Sequence, residues 1–429
     1  MQYKNERGFA LSMDQKDPLK SFRNRFLIPQ QHGKDVLYFC GNSLGLQPAA
    51  AQEAMKQELD DWASIAVEGH FKATNPWFPY HEFLRDDMAS IVGALPQETV
   101  VMNSLTANLH LLMVSFYRPT GKRYKIICEW SPFPSDRFVL QSQAAYHGLL
   151  NKEINSADAI VELIPPEGSY HVSTQQVTEA IRKHGDELAL VMIGGVNYYT
   201  GQLYDMKEIT GAAHACGAVA GFDLAHAAGN VALKLHDWDV DFAAWCTYKY
   251  LNAGPGSVGA AFVHERHVSN KGLPRFAGWW GNDPETRFSM PREFIPVPTA
   301  DAWQLSNAPV FSMAVLKESL KIFSEAGMDN LVTKSRLLTG YLEFLINDMG
   351  LAIKAITTRK PEERGCQLSL IVPEKGKQLY RYLSENGVVT DWREPDVIRV
   401  APVPLYNSFE DVYGLAVNLK EGLLKKDHA

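Results

Sequence analysis

Residues 218–229, Ala218-Val219-Ala220-Gly221-Phe222-Asp223-Leu224-Ala225-His226-Ala227-Ala228-Gly229, read as a short apolar strand that closes on an aspartate and then breaks into a turn of small residues. The run 242–246 behaves alike. It leads into Thr247-Tyr248-Lys249-Tyr250-Leu251-Asn252-Ala253-Gly254-Pro255-Gly256, where an apolar stretch again gives way to a glycine-rich turn. Further β-rich runs lie at 125–128, 159–163, 188–193 and 259–263, most of them flanked by Gly, Pro or Asp. Helical patterns separate them, among them 206–215 and 173–183, the second opened by a Ser-x-x-Gln capping box at Ser173 and Gln176. Strands alternating with helices predict an α/β fold whose largely parallel sheet is covered on both faces. Such sheets bind ligands beyond the carboxyl ends of their strands, which is where Asp223 and Lys249 both fall.

On the N-terminal side, Tyr38-Phe39-Cys40-Gly41-Asn42-Ser43-Leu44-Gly45-Leu46-Gln47-Pro48 passes from an apolar entry to Gly, Asn, Ser and Pro and predicts a turn followed by a helix. In that helix Met55, Leu59, Trp62 and Ala66 recur at helical spacing and predict one apolar face, with Glu53, Lys56, Glu58 and Asp60 opposite. Leu84, Met88, Ile91, Val92 and Leu95 form another such face. On the C-terminal side, two long helical patterns at 310–326 and 328–349 precede 367–372, 377–383, 397–400 and 409–424, where strand and helix alternate again. We expect a large domain over roughly 60–310 and a smaller α/β domain built from 1–59 and 311–429. The stretch 278–301, rich in Pro, Gly and aromatic residues without a clean period, is expected to be a long ordered loop of the kind that is usually functional. No internal repeat or low-complexity segment interrupts this plan.

The chain has 429 residues, 46% hydrophobic and 21% charged, a composition that excludes disorder on a large scale and suits two or three domains. Its 42 basic against 49 acidic side chains, a net charge of -7, lack the basic excess of a nucleic-acid binder. The cysteines (Cys40, Cys128, Cys216, Cys246, Cys366) are scattered, odd in number and form no Cys-x-x-Cys pair. They read as reduced thiols, and no metal site is expected. Lys4, Glu6, Arg7, Asp14, Lys16 and Asp17 break up the N-terminus, leaving no signal-peptide core, and no stretch reaches the ~18 apolar residues of a membrane span. The expectation is a cytoplasmic protein with neither membrane nor nucleic acid as partner.

A lysine and an aspartate at one sheet edge suit pyridoxal 5'-phosphate. The amine holds the cofactor covalently, while the carboxylate keeps the pyridinium nitrogen protonated so that the ring can act as an electron sink. Lys249 alone would read as a solvated surface lysine; its pairing with Asp223 argues for the site.

The motifs taken in order go further. The 38–48 segment, Met102-Asn103-Ser104-Leu105-Thr106-Ala107-Asn108-Leu109-His110, Phe133-Pro134-Ser135-Asp136, Phe222-Asp223-Leu224-Ala225-His226-Ala227, the stretch from Trp245 to Gly254, Gly278-Trp279-Trp280-Gly281 and Arg399-Val400-Ala401-Pro402-Val403-Pro404-Leu405-Tyr406-Asn407-Ser408 resemble those of the kynureninase family. These are pyridoxal-phosphate enzymes of the aspartate-aminotransferase fold type (fold type I, PLP-dependent transferase-like). The resemblance spans nearly the whole chain. It implies a mostly parallel seven-stranded sheet in the large domain, and a homodimer.

Residue by residue, the resemblance implies Lys249 as the cofactor lysine and Asp223 as the partner of the ring nitrogen. Leu105 and Thr106 match phosphate contacts at a helix start. Phe133 matches the aromatic stacked on the ring, and Asp136 a second cofactor-side carboxylate. His226 and Tyr248 match further cofactor contacts, with Tyr248 reaching the phosphate. Trp279 and Asn307 match residues that complete the pocket, one or both reaching over from the neighbouring subunit. Arg399 matches the anchor of the substrate α-carboxylate, a task its planar fork suits. Ser43 and His70 match residues on the aromatic side of the substrate. The pattern departs at Gly194, where some relatives carry a serine that contacts the cofactor.

The activity implied is hydrolysis of the Cβ–Cγ bond of L-kynurenine or 3-hydroxy-L-kynurenine to L-alanine and anthranilate or 3-hydroxyanthranilate, in tryptophan degradation and NAD biosynthesis. Lys249 is the expected base at Cα, water adds to the γ-carbonyl, and Tyr248 is the expected proton donor to Cβ. Two rivals stand beside this reading. A cysteine desulfurase or selenocysteine lyase needs a cysteine nucleophile facing the cofactor, and Cys366 is the candidate in the small domain. It precedes the apolar run Gln367-Leu368-Ser369-Leu370-Ile371-Val372, where a buried structural thiol is the expectation. A non-catalytic cofactor-binding regulator would have no need of Lys249 and Asp223, both of which are present.

Overall fold

In the computed structural model, which describes residues 2–150 and 156–425, a seven-stranded sheet forms the centre of the molecule. Its strands are β1 (Thr99–Val101), β2 (Lys125–Cys128), β3 (Ile160–Glu162), β4 (Leu188–Gly194), β5 (Val219–Asp223), β6 (Phe242–Trp245) and β7 (Ala260–Val263). They lie in the order β1-β7-β6-β5-β4-β2-β3. Strands β2 to β6 run parallel, and β7 runs against both of its neighbours. All but β1 fall on the β-rich runs of the sequence to within one residue at either end. Strand β1 has 3 residues, too few to display a period.

Side chains leave a strand alternately to its two faces, and here both faces are dry. Val191 and Ile193 of β4 enter one core with Phe222 and Trp245, while Leu190 and Met192 enter the other with Phe242 and Ala244. Every residue of β4, β6 and β7 is buried.

A second sheet of β8 (Lys354–Ala355), β9 (Leu368–Ile371), β10 (Asp391–Arg393) and β11 (Val397–Val400) has the order β8-β9-β11-β10 and is antiparallel throughout. Its core joins Leu338 and Leu342 of helix Met328–Asp348, Phe409 and Leu415 of helix Phe409–Leu424 and, from the N-terminal segment, Ala10, Met13 and Phe39. Helix Val310–Ala326 sides with the large sheet instead, through Met313, Leu316, Leu320 and Phe323. The stretch 278–301 is an ordered loop with short helical turns, pinned by the buried Arg287, which donates to the carbonyls of Trp280 (2.6 Å) and Asn282 (2.9 Å).

Helix Ala51–Ile65 departs from its expected orientation. Leu59 and Trp62 are 47% and 57% exposed, whereas Glu58 of the polar face is buried. Its carboxylate accepts hydrogen bonds from Asn75 (3.0 Å), the Trp77 indole (2.9 Å) and the Tyr80 hydroxyl (2.9 Å). Three donors offset the desolvation of one carboxylate, so the helix turns its charged residue inward and an apolar stripe outward.

At the edge of the sheet opposite the site, Asp241 ties β5 and β6 to the segment after β7. It accepts from the Ala220 N–H (2.8 Å), from His214 (2.8 Å), from His267 (2.8 Å) and from Arg266. Burial pushes this carboxyl up, but the donors outweigh burial and hold it well below the usual carboxylate range. A depressed carboxyl contributes stability above its unfolded pKa and loses it as pH falls toward the folded value. Asp241→Asn is therefore expected to lower the unfolding free energy by about 3 kcal/mol at pH 7. The deficit should shrink below about pH 4, where the unfolded carboxylate is itself protonated. Urea denaturation at both pH values measures the difference, and an equal deficit at both would contradict the assignment.

Candidate active site

The carboxyl ends of β2, β4 and β5, with the segments after β1 and β6, enclose a cavity of about 260 Å³. Leu105, Thr106, Phe133, Asp136, Asp223, His226, Tyr248 and Lys249 all line it. Local structure holds each in place. Asp223 ends β5, and its Oδ1 accepts the Ala225 N–H at 2.7 Å in a tight aspartate turn. Lys249 sits in a turn fixed on one side by the Asn252 N–H to its own carbonyl (3.0 Å) and on the other by the Gly45 N–H to the Tyr248 carbonyl (2.8 Å). Phe133 is the N-cap of helix Pro134–Tyr146, with proline at the first helical position and Asp136 in the first turn. Ser104 precedes helix Leu105–Phe116 and makes no side-chain cap, so the amides of Leu105 and Thr106 keep the anion-binding character of a helix start.

The Lys249 amine lies 3.0 Å from His226 Nε2 and 5.8 Å from the centre of the Phe133 ring. Burial, reinforced by the Lys249 charge, pushes His226 well below the usual histidine range, so the imidazole is neutral and accepts from the amine. Burial pushes Asp136 well up, the Asp223 and Glu129 charges adding to it. Asp223 is raised less far, because Lys249 opposes its burial. Burial also raises the Tyr248 phenol, which stays protonated at neutral pH. Asp136 Oδ1 and His226 Nδ1 are buried without a hydrogen-bond partner. Buried polar atoms of this kind call for a polar ligand.

Amine, acidic ring partner, flat aromatic wall and helix-start amides together fit pyridoxal phosphate. Glu129, Ser135 and Tyr198 also line the cavity and were not anticipated from sequence, and Gly194, the position at which the pattern departs from some relatives, lines it as well. Glu129 is the first residue past β2, so the strand-end rule that singles out Asp223 applies to it equally.

The remaining expected residues lie outside this cavity. Arg399 of β11 is buried, donates to the Tyr198 carbonyl (2.7 Å) and pairs with Asp391, while its Nε has no partner. Because Tyr198 lines the cavity, the guanidinium stands directly behind the wall. Burial lowers its pKa to about 10. Ser43 belongs to the turn that Gly45 presses onto the backbone of Lys249. His70 lies edge-on to Trp77 at 5.6 Å. Trp279 is half exposed, its indole bonded to the Arg287 carbonyl (3.2 Å), and Asn307 lines a separate cavity of about 300 Å³ with Asn103 and Ser312.

Away from the cavity, Glu98, His236 and His264 bring ligand-type atoms within 4.8 Å of one another. Both Glu98 oxygens are already engaged by backbone N–H groups, of Leu95 (2.8 Å) and Glu265 (2.8 Å), and His264 Nδ1 caps Arg266. This group is a hydrogen-bonded clamp between loops.

Residues 331–419 match the family model described as the kynureninase C-terminal domain. The kynureninase of Flavobacterium psychrophilum is 53% identical over 99% of this chain and 100% of its own length. The chain belongs to the kynureninase family. The kynureninase of Myxococcus xanthus is 50% identical over 97% of each chain. Among solved structures, the cysteine desulfurase CsdA from Escherichia coli superposes with a TM-score of 0.75 at 16% identity, covering 94% of this chain and 98% of its own. The cystine C-S lyase C-DES, in complex with cysteine persulfide, gives 0.72 at 18% identity, covering 90% and 97%. Likeness at that level of identity establishes the shared fold type and carries no chemistry.

Cys366 bears on the desulfurase reading directly. It is 1% exposed, its N–H donates to Asn230 (2.9 Å), and burial pushes its thiol up to about 12. A thiol so placed is not a nucleophile at neutral pH. Iodoacetamide at pH 7.5 is expected to leave Cys366 unmodified in the native protein and to label it fully in denaturant, as mapped by peptide mass spectrometry. Rapid labelling of Cys366 in the folded protein would restore the desulfurase reading.

Proposed function

We propose that this protein hydrolyses the Cβ–Cγ bond of L-kynurenine or 3-hydroxy-L-kynurenine, releasing L-alanine and anthranilate or 3-hydroxyanthranilate, with pyridoxal 5'-phosphate as its cofactor. The observation that carries this is the convergence of Lys249, Asp223, Asp136, Phe133 and Tyr248 on one cavity, in a chain 53% identical to a kynureninase over 99% of its length.

Held by Lys249, the cofactor supplies an electron sink that makes the Cα proton, and then the Cβ–Cγ bond, labile. The protein's own groups do the rest. Asp223 would hold the ring nitrogen, Phe133 the ring face, and the helix start at Leu105 and Thr106 the phosphate. The Lys249 amine, with neutral His226 as its hydrogen-bond acceptor, takes the Cα proton. Arg399, which stands behind Tyr198 at the cavity wall with its Nε unpartnered, would anchor the α-carboxylate and so fix rotation about Cα. Water adds across the γ-carbonyl, the Cβ–Cγ bond breaks with its electron pair going to Cβ to leave the aromatic acid, Tyr248 gives a proton to Cβ, and Lys249 returns a proton to Cα to complete alanine. A phenol kept protonated by its surroundings suits the transfer to Cβ.

We also propose a homodimer, with the substrate cleft between the domain of the large sheet, which takes in helix Val310–Ala326, and the domain of the small sheet. Leu59, Trp62, Phe71, Phe288 and Met290 are all about half exposed or more, an apolar surface that a second copy would cover. Trp279 and Asn307 would reach the cavity across that interface. Among the described residues no helix is long and apolar enough to cross a membrane, and we propose a cytoplasmic location.

The direct test is release of fluorescent anthranilate from L-kynurenine by the cofactor-loaded protein. Lys249→Ala is expected to abolish turnover and to lose covalent capture of the cofactor by borohydride; capture that persists in the variant would refute the lysine assignment. Arg399→Lys keeps a charge but not the fork, and should lower kcat/KM roughly ten-fold or more, with Arg399→Ala worse and the resting absorption spectrum unchanged in both. Near-normal kcat/KM in Arg399→Ala would remove it from the site, and loss of cofactor would give it a structural role.

A further inference from the structure

Gly194 closes β4, in register with Asp223 of β5, and the next N–H, that of Gly195, donates to the Asp223 carbonyl at 2.7 Å. The conformation of Gly194 is not the left-handed one that favours glycine. What crowds a side chain there is one carboxyl oxygen. A Cβ at 194 would lie 2.8 Å from Glu129 Oε1, against 3.6 Å from the nearest other group, the Val196 carbonyl. That same Oε1 accepts the Gly194 N–H at 3.1 Å. Glu129 is 4% exposed and lines the cavity that holds Asp223, Asp136 and Lys249. A carboxyl group thus fills, from the neighbouring segment, the volume a residue at 194 would otherwise occupy.

We propose that Glu129 is a positioning residue of the cofactor cavity, matched to the glycine at 194, and that this pair sets the strand end beside Asp223 against which the cofactor ring is seated. The proposal rests on the cofactor reading above. Glu129 ties the end of β2 to the end of β4 through one hydrogen bond, and β4 in turn fixes β5 at Asp223. With the carboxyl gone, the Gly194 N–H loses its acceptor in a buried place and the strand end is free to shift. With a methyl group at 194, the carboxyl must leave its seat. Each change disturbs the other's partner, so the two effects overlap and do not multiply.

The test is a cycle on cofactor affinity, read from protein fluorescence as pyridoxal phosphate is titrated into the cofactor-free full chain. Glu129→Ala and Gly194→Ala are each expected to weaken binding about ten-fold or more, and the double variant no more than the worse single one, since the methyl group then enters the space the carboxyl has left. Glu129→Gln retains an oxygen for the Gly194 N–H and should stay within about three-fold of the unaltered protein. Losses that multiply in the double variant, or unchanged affinity in Glu129→Ala, would overturn the proposal. Should Glu129→Ala fail to fold, Glu129→Asp with Gly194→Ala decides: a carboxyl one methylene shorter leaves room for the Cβ and must recover affinity lost in Gly194→Ala alone. No recovery overturns the pairing. Failure of the unaltered protein to bind pyridoxal phosphate would overturn the cofactor reading itself, whereas multiplying losses in a protein that binds it overturn only the role of Glu129.

Discussion

Lys249 reaches the end of β6 among three buried carboxyl groups, those of Asp223, Asp136 and Glu129, with a neutral imidazole as its immediate neighbour. Ionised carboxylates buried without partners cost several kcal/mol each, so the three cannot all carry charge against one amine. Burial accordingly pushes all three upward, Glu129 to about 7. The cavity stands short of positive charge at its Asp223 end and rich in unengaged backbone N–H groups at its Thr106 end. A protonated ring nitrogen would answer the first and a phosphate the second. That polarity, set by which residues close β5, β6 and the segment after β1, fixes how a ligand of this shape lies before any substrate arrives.

On the proposed reading the two sheets must also meet at a fixed distance, because the lysine belongs to one and the arginine to the other. The turn after Tyr38 supplies the connection. The Ala401 N–H, just past β11, donates to the Phe39 carbonyl (2.9 Å), and a few residues on the Gly45 N–H donates to the Tyr248 carbonyl (2.8 Å). A side chain at Gly45 would collide with the Lys249 carbonyl and with Asn252, so glycine is what lets this turn lie flat on the lysine segment. From the other side, the Arg399 guanidinium crosses to the Tyr198 carbonyl at the cavity wall, steadied by Asp391, which Arg393 also approaches at 3.2 Å. Two arginines around one aspartate leave a net positive charge beside the wall, suited to a single carboxylate.

How much of this is legible in the sequence depends on the range over which each feature is encoded. Strands β2 to β7 and the helices at 206–215, 310–326 and 409–424 are visible because period and flanking residues are local. Asp223 and Lys249 are visible because each directly follows or closes an apolar run. The orientation of helix Ala51–Ile65 is not, since it is decided by Asn75, Trp77 and Tyr80, which bring three donors to Glu58 from outside the helix. The periodicity of Met55, Leu59 and Trp62 is real, but it marks an outer stripe. Glu129 follows β2 directly, so its place at the strand end is legible, but its counterpart, Gly194, lies 65 positions away and the pairing is not.

Fold and chemistry part company at the small sheet. The cysteine desulfurases that superpose on this chain show that its architecture does not choose between attack on sulfur and cleavage of carbon from carbon. On the proposed reading the choice lies in what β9 and β11 hold behind the cavity wall. Here Cys366, just ahead of β9, is packed beneath Tyr250 and held as a thiol, so that strand offers no nucleophile. Strand β11, paired with β9 along Leu368–Ile371, offers instead a guanidinium behind Tyr198. With Cys366 held as a buried thiol, the bond that would break on the proposed reading is the one the electron sink weakens, and its fate is set by where water and a proton arrive. Tyr248, adjacent in sequence to Lys249 and protonated, stands at the cavity wall where that proton is needed. On the proposed reading, the same pair of residues after β6 would take a proton at Cα and supply one at Cβ.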